Sequence, residues 1–234
     1  MQALILAAGL GSRLKPYTNK VPKAMVSFDG IEIIKHQIET LLSQHIRKIT
    51  VVSGYKSKIL KNFLFENFSK ENIKIVENNS YAETNSAFSA MKALKKIDTD
   101  YLHLNCDILF SKDTLKRLIE APEENVISVR GDINLKSHME NVIEINGRIV
   151  NMSLQTSPQA KYKAFGLAKI SFNALKENII FYNKLQKKIQ EQENYFGIIR
   201  MNLGKVFYHM LECNEESLSE INTVEDLQNC KFLL

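Results

Sequence analysis

The chain has 234 residues, 44% of them hydrophobic, enough for one substantial core in a single domain or a domain with an appended lobe. Its 31 Lys and Arg against 26 Asp and Glu leave a net charge of +5, without the basic runs of a nucleic-acid binder, so the excess suits a polyanionic small molecule instead. No apolar run approaches the roughly 18 residues of a membrane span, and MQALILAAG lacks the basic flank of a signal peptide. Three scattered cysteines, Cys106, Cys213 and Cys230, form no C-x-x-C pair, which suits buried thiols in a reduced cytoplasm.

The apolar run 3–8 (ALILAA), ended by glycine, predicts a strand covered on both faces. Residues 31–45 put Ile31, Ile34, Ile38, Leu41 and Leu42 on one helical face, and 47–53 predicts a strand closed by Gly54. A helix over 56–67, a strand over 73–77 and a helix over 84–96 starting near Thr84 or Asn85 follow. The next strand is 100–106, after which Ser111 is placed to cap another helix. This alternation predicts a largely parallel α/β sheet. The pattern loosens after about residue 125. Strands are expected over 125–130, 141–145, 148–154, 164–171 and 206–213, with a hairpin turn at 146–148. Helices are expected near 172–186 and 194–203 and from 223, and the polar run 184–194 reads as a solvated helix face or linker.

The stretch 4–26 (LILAAGLGSRLKPYTNKVPKAMV) leads from the first strand into a glycine-rich basic loop. Gly9 and Gly11 let backbone N–H groups approach a ligand closely, and such amides at the carboxyl end of a strand attract phosphate. Leu14 stands where a dinucleotide fingerprint needs its third glycine, and no acidic residue closes the second strand. No Gly-Lys-Ser/Thr follows, so a kinase-type phosphate loop is not expected either. Arg13, Lys15 and Lys23 follow instead, spaced by Pro16 and Pro22, which stiffen the loop and leave its cations to converge on a charged ligand.

These residues resemble the signature of the sugar-phosphate nucleotidyltransferases, L-A-A-G-x-G-x-R-[LM]-x-P-x-T-x-x-x-P-K-x-[LM]-[VL], with Met25 where leucine is usual. VSGY (52–55), ENNSYAETNSAFSAMKAL (77–94), NCDILF (105–110) and SEINTVEDL (219–227) extend the resemblance. The spacing of Asn85 and Ser89 is most similar to phosphocholine-type cytidylyltransferases with small acceptors. The resemblance implies one α/β domain over 1–234, with a Rossmann-like, mostly parallel sheet and an α+β acceptor lobe in the second half. Residues 1–124 would bind nucleotide, and 125–234 would hold the acceptor and a C-terminal metal motif.

The implied reaction is attack of an acceptor monophosphate on the α-phosphorus of a nucleoside triphosphate, releasing pyrophosphate. Arg13 would grip the leaving phosphates and Lys23 the reacting ones. The nucleotide would meet Leu6, Ala8, Gly9 and Gly11, with Asn85 and Ser89 reading the base. Asp107 would bind Mg²⁺ together with Asn222, or with Glu220 in its place, since an amide oxygen is also a hard donor. Asn222 is also placed to cap the helix that follows. CTP is the expected nucleotide, with UTP and dTTP as alternatives. A quaternary ammonium favours an aromatic cage, above all tryptophan, and the chain has no Trp. Tyr195 and Phe196 stand in the acceptor region, but so does Arg200, which would repel a cation and clamp a carboxylate, and Lys163 and Lys169 are candidates for the acceptor phosphate. Phosphoglutamine, used in capsule phosphoramidate assembly, is the expected acceptor. Phosphocholine, a sugar 1-phosphate, and a nucleotide-binding regulator without catalysis remain alternatives.

Overall fold

The computed structural model describes residues 1–233. Its first half contains β1 (Gln2–Ala7), a two-residue ribbon of β2 (Ser27–Phe28) and β3 (Ile31–Glu32), and helix α1 (Ile33–Ser43). Next come β4 (Ile49–Ser53), α2 (Ser57–Asn67), β5 (Ile73–Glu77), α3 (Ser86–Leu94), β6 (Tyr101–Asn105), β7 (Ile108–Phe110) and α4 (Lys112–Glu120). The second half adds β8 (Val126–Arg130), β9 (Asn141–Ile145), β10 (Arg148–Ser153), β11 (Tyr162–Ile170), α5 (Phe172–Lys184) and α6 (Lys187–Gln192). It closes with α7 (Tyr195–Met201), β12 (Tyr208–Cys213), β13 (Leu218–Glu220) and α8 (Val224–Asn229).

Nine strands form one sheet in the order β5-β4-β1-β6-β11-β8-β12-β10-β9. The β5, β4, β1 and β6 strands are mutually parallel, as the helix-strand alternation of the first half requires. In the second half β11 runs antiparallel to both β6 and β8, and only β12 and β8 pair in parallel. The β9 strand pairs with β10 and also with the start of β11, so this end of the sheet closes on itself. Asn146 (φ 51°) and Gly147 (φ 79°) form the β9–β10 turn, the left-handed pair that a tight hairpin of twisted strands demands.

Side-chain alternation along β1 builds both cores. Leu4 and Leu6 join the residues of α3, α5 and α7 on one face, while Ala3, Ile5 and Ala7 meet α1, α2 and α4 on the other. One sequence expectation changes here, and another resolves to the exposed helix face among its two alternatives. Ile31 belongs to the β2–β3 ribbon and not to the helix, which starts at Ile33. Residues 184–194 are not a free linker. The α6 helix is exposed, yet its end docks on α3 through Asn85 N–H to the Glu191 carbonyl (2.6 Å) and Gln192 Nε2 to the Glu83 carbonyl (2.8 Å).

A third, smaller cluster joins the ends of the chain. Leu14, at the would-be third glycine, is fully buried among Val26, Phe28, Ile33, Leu109, Ile221 and Phe232. Leu14 thus pins the basic loop to the C-terminal segment. Its truncation in Leu14→Ala should cost roughly 2–5 kcal/mol, read as a lower urea midpoint at unchanged slope. An unchanged midpoint would show that this cluster does not carry the loop.

Candidate active site

The chain leaves β1 at Ala7 and turns through Gly11 in the left-handed region (φ 62°) into three short 3₁₀ turns, Ser12–Leu14, Tyr17–Asn19 and Lys23–Met25. Only glycine fits at position 11, because a Cβ there would stand 2.9 Å from Lys23 Cβ and 3.0 Å from Thr18 Cγ2. Thr18 Oγ1 donates to the Gly11 carbonyl at 2.9 Å and holds the turn. Gly9 opens into space with no atom near its missing side chain.

This folding delivers Lys23 to a buried position where Nζ donates to Asp107 Oδ2 (2.5 Å) and Asn222 Oδ1 (3.0 Å). Burial is the largest single influence and works against its charge, but Asp107, with Cys106 and Glu220 adding to it, holds the Lys23 pKa above the ordinary lysine value. Arg13 Nη2 donates to the same Asn222 oxygen at 2.9 Å. Asp107 and Asn222 lie far apart in sequence and are joined by backbone. The β13 strand pairs antiparallel with β7, Glu220 opposite Ile108, and Ile221 N–H donates to the Asp107 carbonyl at 2.8 Å. Thr223, not Asn222, caps α8, in a reciprocal box with Asp226. The Asn222 side chain therefore remains for Arg13 and Lys23.

Two connected lobes meet at this cluster. A lobe of about 350 Å³ is lined by Leu6, Ala8, Gly9, Gly11, Tyr81, Asn85 and Ser89. A second lobe of about 510 Å³ is lined by Lys136, Glu140, Lys163, Gly166, Asn194 and Glu220 among others. Arg13, Ser86, Asn105, Asp107 and Asn222 line both.

Around the smaller lobe, backbone carbonyls are already engaged: Leu6 accepts from Cys106 N–H (3.2 Å) and Ala8 from Tyr55 N–H (3.0 Å). Ser89 is buried and receives a hydrogen bond from Asn78 Nδ2 at 2.9 Å. Asn85 caps α3 by accepting from Ser86 N–H (2.7 Å) and donates to the Gln192 carbonyl (3.0 Å), so much of its amide serves the wall of the lobe. Asn78, Tyr81 and Asn105 also serve this lobe, beyond the residues that the sequence signature marks. Their asparagine-rich segments, ENNSY and NCD, were the available signal.

The expected acceptor residues divide. Lys163 faces the larger lobe, paired with Glu220 and with its ammonium 4.4 Å from the Phe165 ring centre. Lys169 does not reach the lobe. It sits six residues along β11, opposite Leu102 and Val126, and its ammonium donates to the Ala121 carbonyl (2.5 Å) beyond the end of α4. Tyr195 lines the larger lobe but keeps its ring buried, with its hydroxyl paired to that of Tyr101 and its ring stacked on His103 at 4.6 Å. Arg200 is no open clamp, because Nη1 lies 2.7 and 2.6 Å from the two Glu140 oxygens, with Glu193 at 3.6 Å from Nη2.

Asp107 Oδ1 is buried with no hydrogen-bond partner among the described residues. It and the Asn222 amide oxygen, which accepts from Arg13 and Lys23, are hard donors of the kind that suits Mg²⁺, an ion commonly held by one or two carboxylates and substrate phosphates. Glu220 is already committed to Lys163. The neighbouring Cys106 thiol is pushed up to about 12 by burial and is no nucleophile at neutral pH.

The chain belongs to the MobA-like NTP transferase domain family, whose profile matches residues 3–139. It is therefore a nucleotidyltransferase. It is 34% identical over 206 residues to the CTP:phosphoglutamine cytidylyltransferase of Campylobacter jejuni, covering 81% of this chain and 80% of that protein. It is also 34% identical to the choline-phosphate cytidylyltransferase of Streptococcus pneumoniae, over 44% of this chain and 43% of that one. The solved CTP:phosphocholine cytidylyltransferase of Streptococcus pneumoniae superposes with a TM-score of 0.78, covering 98% and 97% of the two chains at 21% identity. The inositol-1-phosphate CTP transferase of T. maritima gives 0.80 over 96% and 90% at 20% identity. These structural likenesses establish the fold.

His103, fully buried beneath the cleft, has its pKa lowered to about 4 by burial, against a smaller opposing pull from the Asn105 oxygen. The unfolded chain takes up this proton near 6.5 and the folded one only near 4, so the unfolded state binds more protons between these values. Stability should therefore be full above about pH 6.5 and fall by roughly 3 kcal/mol toward pH 4. Urea unfolding against pH should show this loss, and His103→Phe should remove its share. An identical acid profile in the variant would overturn the assignment.

Proposed function

We propose that the protein is a Mg²⁺-dependent cytidylyltransferase that moves CMP from CTP to a small phosphorylated acceptor, phosphoglutamine. One observation carries the reading: Arg13, Lys23, Asp107 and Asn222 converge where two lobes of about 350 and 510 Å³ join. The choice of CTP is supported by the CTP:phosphoglutamine and choline-phosphate cytidylyltransferases among the relatives.

The chemistry asks for positioning and charge stabilisation, because a phosphate monoester with a second pKa of about 6 is already a nucleophile at neutral pH. An acceptor oxygen bonds to the α-phosphorus as the bridge to the β-phosphate breaks, and pyrophosphate departs with that electron pair. Lys23 keeps its proton through this range, held by Asp107, and offsets charge on the reacting phosphoryl group. Arg13, exposed at the mouth, receives the leaving phosphates. Gly9 and Gly11 bring loop amides to the triphosphate. Asp107 Oδ1 and Asn222 Oδ1 would hold Mg²⁺, which neutralises phosphate charge when bound.

The acceptor is read from charge. Arg200 is closed by Glu140 and Glu193, so the cation available for a carboxylate is Lys136, which has no ion-pair partner among the described residues. Glu140 lines the same lobe with both oxygens held by Arg200, and together with Glu193 it leaves the group one net negative charge that suits an ammonium. Opposite charges on the 136–140 segment of one lobe match the zwitterionic end of an amino-acid phosphate, and Lys163, paired with Glu220, is placed for its phosphate. A uridylyl- or thymidylyltransferase acting on a sugar 1-phosphate is the second reading, favoured by the uncharged Asn222 at the metal motif.

Pyrophosphate release with Mg²⁺ tests this, with CTP, UTP, dTTP and ATP each crossed against phosphoglutamine, phosphocholine, phosphoethanolamine and sugar 1-phosphates. Turnover is expected with CTP and phosphoglutamine, and turnover only with a sugar 1-phosphate would replace the proposal by the second reading. Asp107→Ala should lower kcat at least about 100-fold, and full turnover in that variant would remove Asp107 from the reaction.

A further inference from the structure

Asn105 ends β6 on the face shared with His103, two residues before Asp107, and lines both lobes. Everything around it fixes its amide. Gln37, fully buried on α1, donates from Nε2 to the Asn105 carbonyl (2.8 Å) and the Ile108 carbonyl (2.7 Å), which locks the backbone at the strand end. His103 Nε2 lies 3.2 Å from Asn105 Oδ1. A neutral imidazole protonated on Nε2 donates there and leaves Nδ1, which has no partner, as the unused acceptor. The His103 ring is itself held by stacking on Tyr195 (4.6 Å) and by the Phe196 edge (5.6 Å).

With Oδ1 spoken for, Nδ2 points toward Gly166 on β11. A Cβ at Gly166 would lie 2.3 Å from Nδ2 and 2.4 Å from Cγ, so glycine is what makes room for this rotamer. Gly166 lines only the larger lobe. Nδ2 has no hydrogen-bond acceptor among the described residues.

We infer that Asn105 is a substrate-binding residue for the acceptor phosphate, its Nδ2 donating to a phosphoryl oxygen, with His103 as the positioning residue that aims it and Gly166 as the space that admits it. This rests on the proposed function, which assigns the larger lobe to a phosphorylated acceptor. A preorganised neutral donor here adds stabilisation without another charge beside Lys23, Arg13 and Lys163, and its direction is set before substrate arrives.

Two readouts test it. In steady-state kinetics Asn105→Ala should raise KM for the acceptor about tenfold, with KM for the nucleotide within about twofold. His103→Phe, which keeps a ring on Tyr195, should raise the acceptor KM by less, and the double variant should be no worse than Asn105→Ala alone because both act through one amide. Gly166→Ala should reproduce the Asn105→Ala loss. Titration of inorganic phosphate into the protein saturated with a non-hydrolysable CTP analogue and Mg²⁺ provides a readout independent of acceptor identity. Asn105→Ala should weaken phosphate about tenfold and leave the analogue's affinity unchanged. If wild type turned over no acceptor yet showed this phosphate effect, the proposed function would fail and the Asn105 assignment would stand. Equal phosphate affinity in wild type and Asn105→Ala, or additive effects of the two substitutions, would overturn the inference.

Discussion

A lysine ammonium with 9% of its surface exposed must be met by fixed negative or polar oxygens, or the fold would expel it. In this protein that requirement gathers three distant segments: the loop after β1 brings Lys23, the end of β6 brings Asp107, and the turn before α8 brings Asn222. The β7–β13 ribbon makes the meeting possible, since Ile221 N–H on the Asp107 carbonyl sets the two oxygen donors side by side. Beneath it the Leu14 cluster fastens loop and C-terminal segment together. Charge and apolar packing therefore specify the same junction.

The sheet divides its labour along its width. The parallel half presents strand ends and loop amides, the arrangement in which open α/β sheets hold nucleotides. The mixed half curls through β9, β10 and β11 and gives the larger lobe its walls. A reaction between two polyanions needs such walls more than it needs acid–base machinery. The fixed cations, amide donors and carboxylate at the shared edge supply that electrostatic environment.

Buried polar side chains serve this edge from behind. Gln37, Asn78 and His103 each spend hydrogen bonds on residues that line the cleft, namely Asn105, Ser89 and again Asn105. The Arg200 pairing has the same logic in reverse: two carboxylates meet one guanidinium, and the group keeps one net negative charge beside the lobe that Lys136 also lines.

What the sequence by itself determined was local and periodic. The ALILAA run, the 3.6-residue pattern of α1, the Ser111 cap and the Asn146-Gly147 turn were legible because each follows from its own few residues. The basic loop was legible too, because its glycines, prolines and cations are contiguous. Only the tertiary structure decided where side chains end. Arg200, Tyr195 and Lys169 carried plausible chemistry in sequence, yet their partners, Glu140, Tyr101 and the Ala121 carbonyl, lie 48 to 94 residues away and are chosen by packing. Asn105 shows the converse. Its position is ordinary in sequence, and becomes a directed donor only because Gly166 and His103, on and beside a strand that arrives antiparallel, leave its amide one orientation.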